Sequence, residues 1–321
     1  MDQSLNFGDL RFPVRRGAAQ VDGNIASRIR IEPVSKAIGA IVHNVDLSQP
    51  LDDAAIALIR AAWDAHLVLL FRGQALNPRE FRDAARIFGT PQEGAHRKYI
   101  RAAGGNVQDD LPEVAILSNL DPPGRPTEVN DGLGSLEVVW HSDNSYIAEP
   151  PIGSALYALE VPTHSGETSF ANQYAAYETL PADLRRQIAG RVAKHDASRN
   201  SAGILRPGLQ VPTTPAEVPG PLHPLVIRHP RTQKPALYLG RRRAYPSQFI
   251  EGLAHDQSEA LLDRLWAHAT QPDFAWTHHW QVCDLVVWDN RAALHHRTPI
   301  DATQRRVMLR TQFEGAPIIA A

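Results

Sequence analysis

Trp140-His141-Ser142-Asp143 and a distant Trp288-Asp289-Asn290-Arg291, followed after three residues by His295, constrain this chain more than any other feature. An imidazole and a carboxylate two positions apart on a strand leave the same face and can grip one ion. His295 comes from a remote element, so the fold must carry two separated segments side by side. Two histidines and one carboxylate occupy one face of an octahedral metal and leave the opposite positions open, as at non-heme Fe(II) sites. A closed structural zinc site more often uses cysteines, and Cys283 is the only cysteine here. A histidine taken alone is more often a packed structural residue, and a three-residue match arises by chance. The weight lies in the combination with the distant segment.

The 321 residues suit one large domain or two modest ones and support a substantial core. With 33 basic and 35 acidic residues there is no general nucleic-acid footprint. The densest basic cluster, Arg241-Arg242-Arg243, reads as a solvated loop. A single cysteine forms no internal disulfide, which fits a reducing compartment. Asp2, Asp9 and Arg11 precede any long apolar run, unlike a secretory signal, and no stretch approaches bilayer-spanning length. The expectation is a soluble, cytoplasmic protein that binds a small molecule, not nucleic acid or membrane.

Residues 1–28 lack a strong period and read as an N-terminal arm, possible disorder included, ahead of a single domain over 29–321. Alternation at Arg28–Ile31 and Ile38–Val42 predicts two short strands. Asp52 and Asp53 precede a helical stripe of Ile56, Ile59 and Trp63, and Leu67–Phe71 suits a buried strand. Asn77-Pro78-Arg79-Glu80 supplies an N-cap, a first-turn proline and a capping glutamate for a helix carrying Phe81, Ala85 and Phe88 and stopping at Gly89. Residues 94–136 are rich in turn formers and read as a functional loop. Strands are expected at Val138–Trp140, Ser154–Leu159, Glu167–Phe170, Leu225–Arg228, Ala236–Leu239, Leu285–Trp288 and Arg306–Phe313. Helices are expected from about Gln173, from about Pro181, and over Ser258–Ala269. Residues 206–221 hold five of the 25 prolines and read as a restrained loop beside the site, a candidate lid. Short strands with helices gathered beside them make the chain mainly β with flanking helices (α+β), a β-sandwich with helical cover.

In Gln304-Arg305-Arg306-Val307-Met308-Leu309-Arg310, residues 306, 308 and 310 share one strand face and Arg305 takes the other. At about 3.3 Å per residue, Arg306 and Arg310 stand roughly 13 Å apart. That is too far for one small carboxylate but suits two anions in one pocket. Without the metal motif, surface ion pairing would be the simpler reading.

These motifs resemble the taurine dioxygenase / 2,4-dichlorophenoxyacetate dioxygenase family of Fe(II)/2-oxoglutarate-dependent oxygenases. The similarity runs from about Ile31 to Phe313 and includes Ile31-Glu32-Pro33 through Val45-Asp46-Leu47. The resemblance implies a double-stranded β-helix (jelly-roll) core with iron on His141, Asp143 and His295. It implies 2-oxoglutarate and O2 as co-substrates. Arg306 would hold the distal carboxylate of 2-oxoglutarate, helped by Thr168 of Gly166-Glu167-Thr168, and Arg310 would approach an anionic prime substrate. His96 and Arg97, with Lys98, fall where the family builds its substrate pocket; exposed loop charge is the equal alternative there. His296 is a rival ligand by eye, but its offset from Trp288 is wrong and on a strand it faces away from His295.

Departures from the family pattern are Cys283, where many relatives have glycine, and Leu309, where some have histidine. The resemblance implies hydroxylation of a small anion with release of succinate and CO2, then C–S or C–O cleavage where the carbon bears a heteroatom. Alternatives are a desaturase or natural-product tailoring oxygenase, and a non-catalytic jelly-roll that senses metal and 2-oxoglutarate. A metal-dependent hydrolase would have no use for Thr168 and Arg306 as an anion cradle. Gly132-Leu133-Gly134 lacks the third glycine of a dinucleotide fingerprint, and His195-Asp196, with no nucleophile beside it, reads as structural. Similar proteins form dimers and tetramers, so a homo-oligomer is expected.

Overall fold

A computed structural model of the chain describes residues 6–14, 25–94, 110–121, 124–129 and 134–321. Its N-terminal half starts with β1 (Arg30–Pro33), β2 (Ala40–His43), α1 (Asp53–His66), β3 (Val68–Phe71), α2 (Pro78–Ala85), β4 (Pro91–Gln92), β5 (Ala115–Ser118) and β6 (Val138–His141). There follow β7 (Gly153–Glu160), β8 (Thr168–Asn172), α3 (Gln173–Glu178), α4 (Ala182–Ile188), β9 (Val192–Lys194), β10 (Leu222–Pro224), β11 (Val226–Arg228) and β12 (Pro235–Leu237). The chain closes with α5 (His255–Ala269), β13 (Ala275–His278), β14 (Leu285–Asp289), β15 (Ala293–Arg297) and β16 (Val307–Phe313).

Two sheets carry the architecture. The larger has eight strands in the order β1-β2-β3-β14-β7-β16-β4, with β5 also on β16; the smaller runs β13-β8-β15-β6. Period-two alternation explains how they stack. Leu69 and Phe71 of β3, Leu285 and Val287 of β14, Tyr157 of β7 and Leu309 of β16 turn outward onto α1 and α2, where Ile59, Trp63 and Phe81 complete one core. Their neighbours Val68, Leu70, Val286, Trp288, Leu156 and Met308 turn inward and meet Phe170 and Ala293 of the smaller sheet. Behind that sheet Ala171 and Leu294 pack on Leu261, Leu262 and Leu265 of α5 and on the shorter helices. Burial on both faces is why these strands read as unbroken apolar runs. The core is a double-stranded β-helix, or jelly-roll.

Local signals hold, with shifted ends. The Asp52 carboxylate accepts from Ala55 N at 2.7 Å and starts α1, which ends on Leu67 at φ 64°. Asn77 Oδ1 takes the Arg79 and Glu80 amides, and Glu80 returns the bond to Asn77 N. α2 stops at Ala85, so Phe88 packs from the following turn and not from the helix. Cys283 sits at φ 69°, a left-handed position that glycine occupies without strain, which accounts for the glycine expected there. Part of the 1–28 arm is attached to the core: Phe7, Leu10 and Phe12 pack against it. The 94–136 segment contributes β5, whose Ser118 pairs with Val307. Among the described residues, no helix is long and apolar enough to cross a membrane.

Candidate metal centre

The smaller sheet sets out the site as two cross-strand rows. Directly opposed residues of antiparallel strands project on the same face. Trp276 of β13 pairs with Phe170 of β8, Phe170 with His295 of β15, and His295 with His141 of β6. His141 is then bridged on its outer side to Arg241, so the row continues beyond the last strand. Two residues along, His278 pairs with Thr168 and Thr168 with Arg297. Both rows face the space between the sheets.

Donor atoms of His141, Asp143 and His295 lie within 4.8 Å of one another, and all three residues are buried. Asp143 lies beyond the strand that carries His141. β6 ends at His141 and the carboxylate is delivered by the turn that follows. Asn290 makes that turn hold: its Oδ1 accepts from Asp143 N at 2.6 Å, and its Nδ2 donates to Asp143 O at 2.8 Å and Pro151 O at 3.0 Å. Asp143 Oδ1 then stands 3.6 Å from Nε2 of each histidine. Oδ2 faces the other way, accepting from Ser154 Oγ at 2.7 Å and lying 2.5 Å from Arg310 Nη2.

Protonation states fit metal binding. His141 Nδ1 donates to Val139 O at 2.8 Å and to His295 O at 3.1 Å, which leaves the Nε2 lone pair for a cation. Burial holds His141 below the usual imidazole range, and burial with the adjacent His141 holds His295 well below it. Burial pushes the Asp143 carboxyl up, but Arg310, His295 and His141 outweigh it and hold the group well below the usual carboxylate range. Two neutral imidazoles and one carboxylate anion therefore converge, a donor set that suits a divalent ion. His296 points away, onto Glu137 Oε1 at 2.7 Å and the Trp140 ring.

The second row meets Arg306. The strand begins one residue later than its pattern implied, at Val307, but Arg306 is 6% exposed and turned inward. Burial, with Arg297 nearby, pushes its guanidinium well below the usual arginine range, and its Nε has no partner among the described residues. Arg297 donates to Leu136 O at 2.5 Å, while its Nε and Nη1 have no partner among the described residues. Thr168 Oγ1 accepts from Trp280 Nε1 at 3.0 Å, so its own hydrogen is free to donate. Two buried cations and a hydroxyl donor, with no acid paired to either cation among the described residues, make a cradle that suits a carboxylate.

A model of the family described as "Taurine catabolism dioxygenase TauD, TfdA family" matches residues 30–312. The chain belongs to this family. The (S)-phenoxypropionate/alpha-ketoglutarate-dioxygenase of Sphingobium herbicidovorans is 32% identical to this TauD/TfdA chain over 300 residues, 89% of the chain and 95% of the relative. Pentalenolactone F synthase of Streptomyces arenae is 32% identical over 294 residues, 87% of the chain and 93% of the relative. The crystal structure of AAD-2 in complex with Mn(II) and N-oxalylglycine superposes with a TM-score of 0.71 at 27% identity, covering 91% of this chain and 99% of that one. This TauD/TfdA protein is an Fe(II)/2-oxoglutarate-dependent dioxygenase.

Of the residues singled out in the sequence, His141, Asp143, His295, Thr168, Arg306 and Arg310 share the inter-sheet space; His96 and Arg97 lie outside the described residues. Four others escaped the sequence reading. Asn290 stood within the Trp-Asp-Asn-Arg segment without a role, and Arg297 shares the strand period of His295. Ser154 gave no signal. Arg241 contradicts its reading as solvated loop charge: it is 9% exposed, because bridging to His141 carries it into the interior.

Proposed function

We propose that iron is held by His141 Nε2, His295 Nε2 and Asp143 Oδ1, and that Arg306 and Thr168 hold the distal carboxylate of 2-oxoglutarate. The reaction is hydroxylation of a small organic anion. The observation that carries this reading is the convergence of the three donors together with a buried Arg306 that has no acid partner among the described residues. Iron and 2-oxoglutarate, once bound by these residues, would supply with O2 the oxidant for hydroxylation, with succinate and CO2 as the co-products. The chain's part is positional. His141 is fixed in one tautomer by two carbonyls, Asp143 is clamped by Asn290 and Ser154, and Arg306 would hold the far end of the co-substrate. Asp143 fills the coordination position that a halogenase would leave for chloride, which favours hydroxylation.

The phenoxypropionate dioxygenase likeness supports an anionic substrate whose hydroxylated carbon bears oxygen and collapses with C–O cleavage. A second reading, tailoring oxidation of a natural product, is favoured by the likeness to pentalenolactone F synthase. In either case residues 29–321 act as one dioxygenase domain, in the cytoplasm, as a homo-oligomer. The test is anaerobic titration of Fe(II) and 2-oxoglutarate into wild-type and Asp143→Ala protein. A visible charge-transfer band in the wild type, weakened in the variant, is the expected result. Bound iron without any band in the wild type would remove Thr168 and Arg306 from the site.

A further inference from the structure

Arg305 and Arg306 are adjacent and chemically alike, yet the fold sends them to opposite sides of the chain entering β16. Arg305 is exposed and holds the Glu160 carboxylate through two bonds, at 2.6 and 3.1 Å. Arg306 is buried and has no acid partner among the described residues. A buried cation in that state is unfavourable, so something other than its own charge must keep it inside. We propose that Asn119 is the positioning residue that holds Arg306 inward, and that the grip on the distal carboxylate of 2-oxoglutarate depends on it. This rests on the proposed dioxygenase function and concerns the co-substrate end of the same site.

The argument starts from the ladder. β5 and β16 run antiparallel, with Ser118 opposite Val307. One step further, a regular ladder would join Asn119 and Arg306 through two main-chain bonds. Only one of them forms: the Asn119 amide donates to the Arg306 carbonyl at 3.2 Å. The Asn119 carbonyl is turned away and accepts from Thr127 N at 2.7 Å. Its side chain takes the vacant place, with Oδ1 accepting from Arg306 N at 2.8 Å. A primary amide offers the same acceptor as a peptide carbonyl, so one residue serves two segments at once. The pairing of β7 with β16 stops at Val307. Both main-chain polar groups of Arg306 are therefore held by Asn119.

The amide nitrogen completes the clamp. Asn119 Nδ2 donates to Gln304 O at 2.8 Å and to Ser135 Oγ at 3.1 Å. Ser135 Oγ donates in turn to Thr127 O at 2.9 Å, and the Ser135 carbonyl accepts from Ile300 N at 2.8 Å. Asn119 is 1% exposed, and each of its polar atoms has a partner. Residues 119–127, 134–136 and 300–306 are thus tied together around the base of one guanidinium. A one-residue slip of β16 would bring Arg305 inward and send Arg306 to solvent. Asn119 fixes which of the two arginines enters the cradle with Thr168 and Arg297.

Calorimetric titration of N-oxalylglycine into Mn(II)-loaded protein tests the proposal without turnover. Asn119→Ala should weaken N-oxalylglycine about tenfold or more, the lower range for losing an outer partner that orients a ligand group. Mn(II) affinity should stay within about twofold of wild type, since the three metal donors lie away from residue 119. The decisive comparison uses the Arg306→Met background. There Asn119→Ala should change N-oxalylglycine affinity by no more than about twofold, because the group it positions is gone. Asn119→Ser, which leaves a polar group in the buried space but withdraws the acceptor, takes the place of Asn119→Ala if that variant does not fold. Unchanged N-oxalylglycine affinity overturns the proposal, as does a parallel loss of Mn(II) affinity or an equal loss on the Arg306→Met background. The two readings fail separately. Wild type that does not bind N-oxalylglycine, or Arg306→Met that binds it as tightly, removes the co-substrate assignment and the role of Asn119 with it. Weak binding by Arg306→Met beside normal binding by Asn119→Ala removes Asn119 alone.

Discussion

Replacing Asn290 by alanine separates a metal-site clamp from ordinary packing. The Asn290 side chain is fully buried and makes three hydrogen bonds, at 2.6, 2.8 and 3.0 Å, to Asp143 N, Asp143 O and Pro151 O. Asn290→Ala leaves one donor and two acceptors without partners in the interior, at roughly 1–3 kcal/mol each. The vacated space is polar and admits a water that offsets part of this, so the net loss should be about 3 kcal/mol. Unfolding entropy near 2.1 cal/mol/K per residue gives about 0.7 kcal/mol/K for 321 residues, hence a fall in Tm of about 4 °C. The distinctive consequence is on the metal. With the turn after β6 released, Asp143 no longer meets the two imidazoles at a fixed distance, and Fe(II) or Mn(II) affinity should drop about 10- to 100-fold. Thermal melts of metal-free protein and competitive Mn(II) titration read the two effects. A lowered Tm with unchanged Mn(II) affinity would refute the clamp and leave Asn290 a packing residue.

Three further outcomes follow from the same geometry. Arg306→Met should raise the KM for 2-oxoglutarate at least about thirtyfold and stabilise the ligand-free protein by about 1–4 kcal/mol, since it removes a buried charge that has no acid; a destabilised variant in urea unfolding would contradict this. Ser154→Ala removes the 2.7 Å bond to Asp143 Oδ2, worth about 1.5–3 kcal/mol for a charged acceptor, and should lower Mn(II) affinity about tenfold; unchanged affinity would mean Arg310 alone orients the carboxylate. His195 is buried, with neither ring nitrogen partnered among the described residues, and burial with His223 and Arg241 holds it well below the usual imidazole range. The unfolded chain gains this proton below about pH 6.5 and the fold does not, so stability falls with falling pH by about 1.4 kcal/mol per unit from this group. His195→Gln should flatten that acid limb by one proton, measured by urea unfolding between pH 6.5 and 5; an unchanged slope would show that His195 titrates normally.

What was legible in the sequence was what local chemistry writes down. The caps at Asp52 and Asn77, the buried runs at Leu67–Phe71 and Leu285–Trp288, and the convergence of His141, Asp143 and His295 are all set by near neighbours or by an unusual motif. Long-range pairing was not legible. Asp143 leaves the strand because Asn290, far along the chain, supplies its backbone partners. Arg241 is interior because residue 241 bridges His141, and no local pattern separates it from Arg242, which is paired at the surface. β5 was hidden in a turn-rich stretch, since its strand identity comes from pairing with β16. Sequence periodicity assigns faces, whereas partners across a sheet are fixed only when the sheet forms.

The two cross-strand rows act as a ruler. His295 and Arg297 on β15, like Phe170 and Thr168 on β8, stand two residues apart, a step of about 6.7 Å fixed by the pleat. In the proposed site one row grips the metal end of the co-substrate and the other its far carboxylate. The admissible length of the 2-oxo diacid would thus depend on the main-chain repeat between the rows as well as on the reach of Arg306. A homologue could change its prime substrate by exchanging residues outside these rows while the gauge stayed intact. A one-residue insertion in β15 between His295 and Arg297 would turn one of the two out of the inter-sheet space.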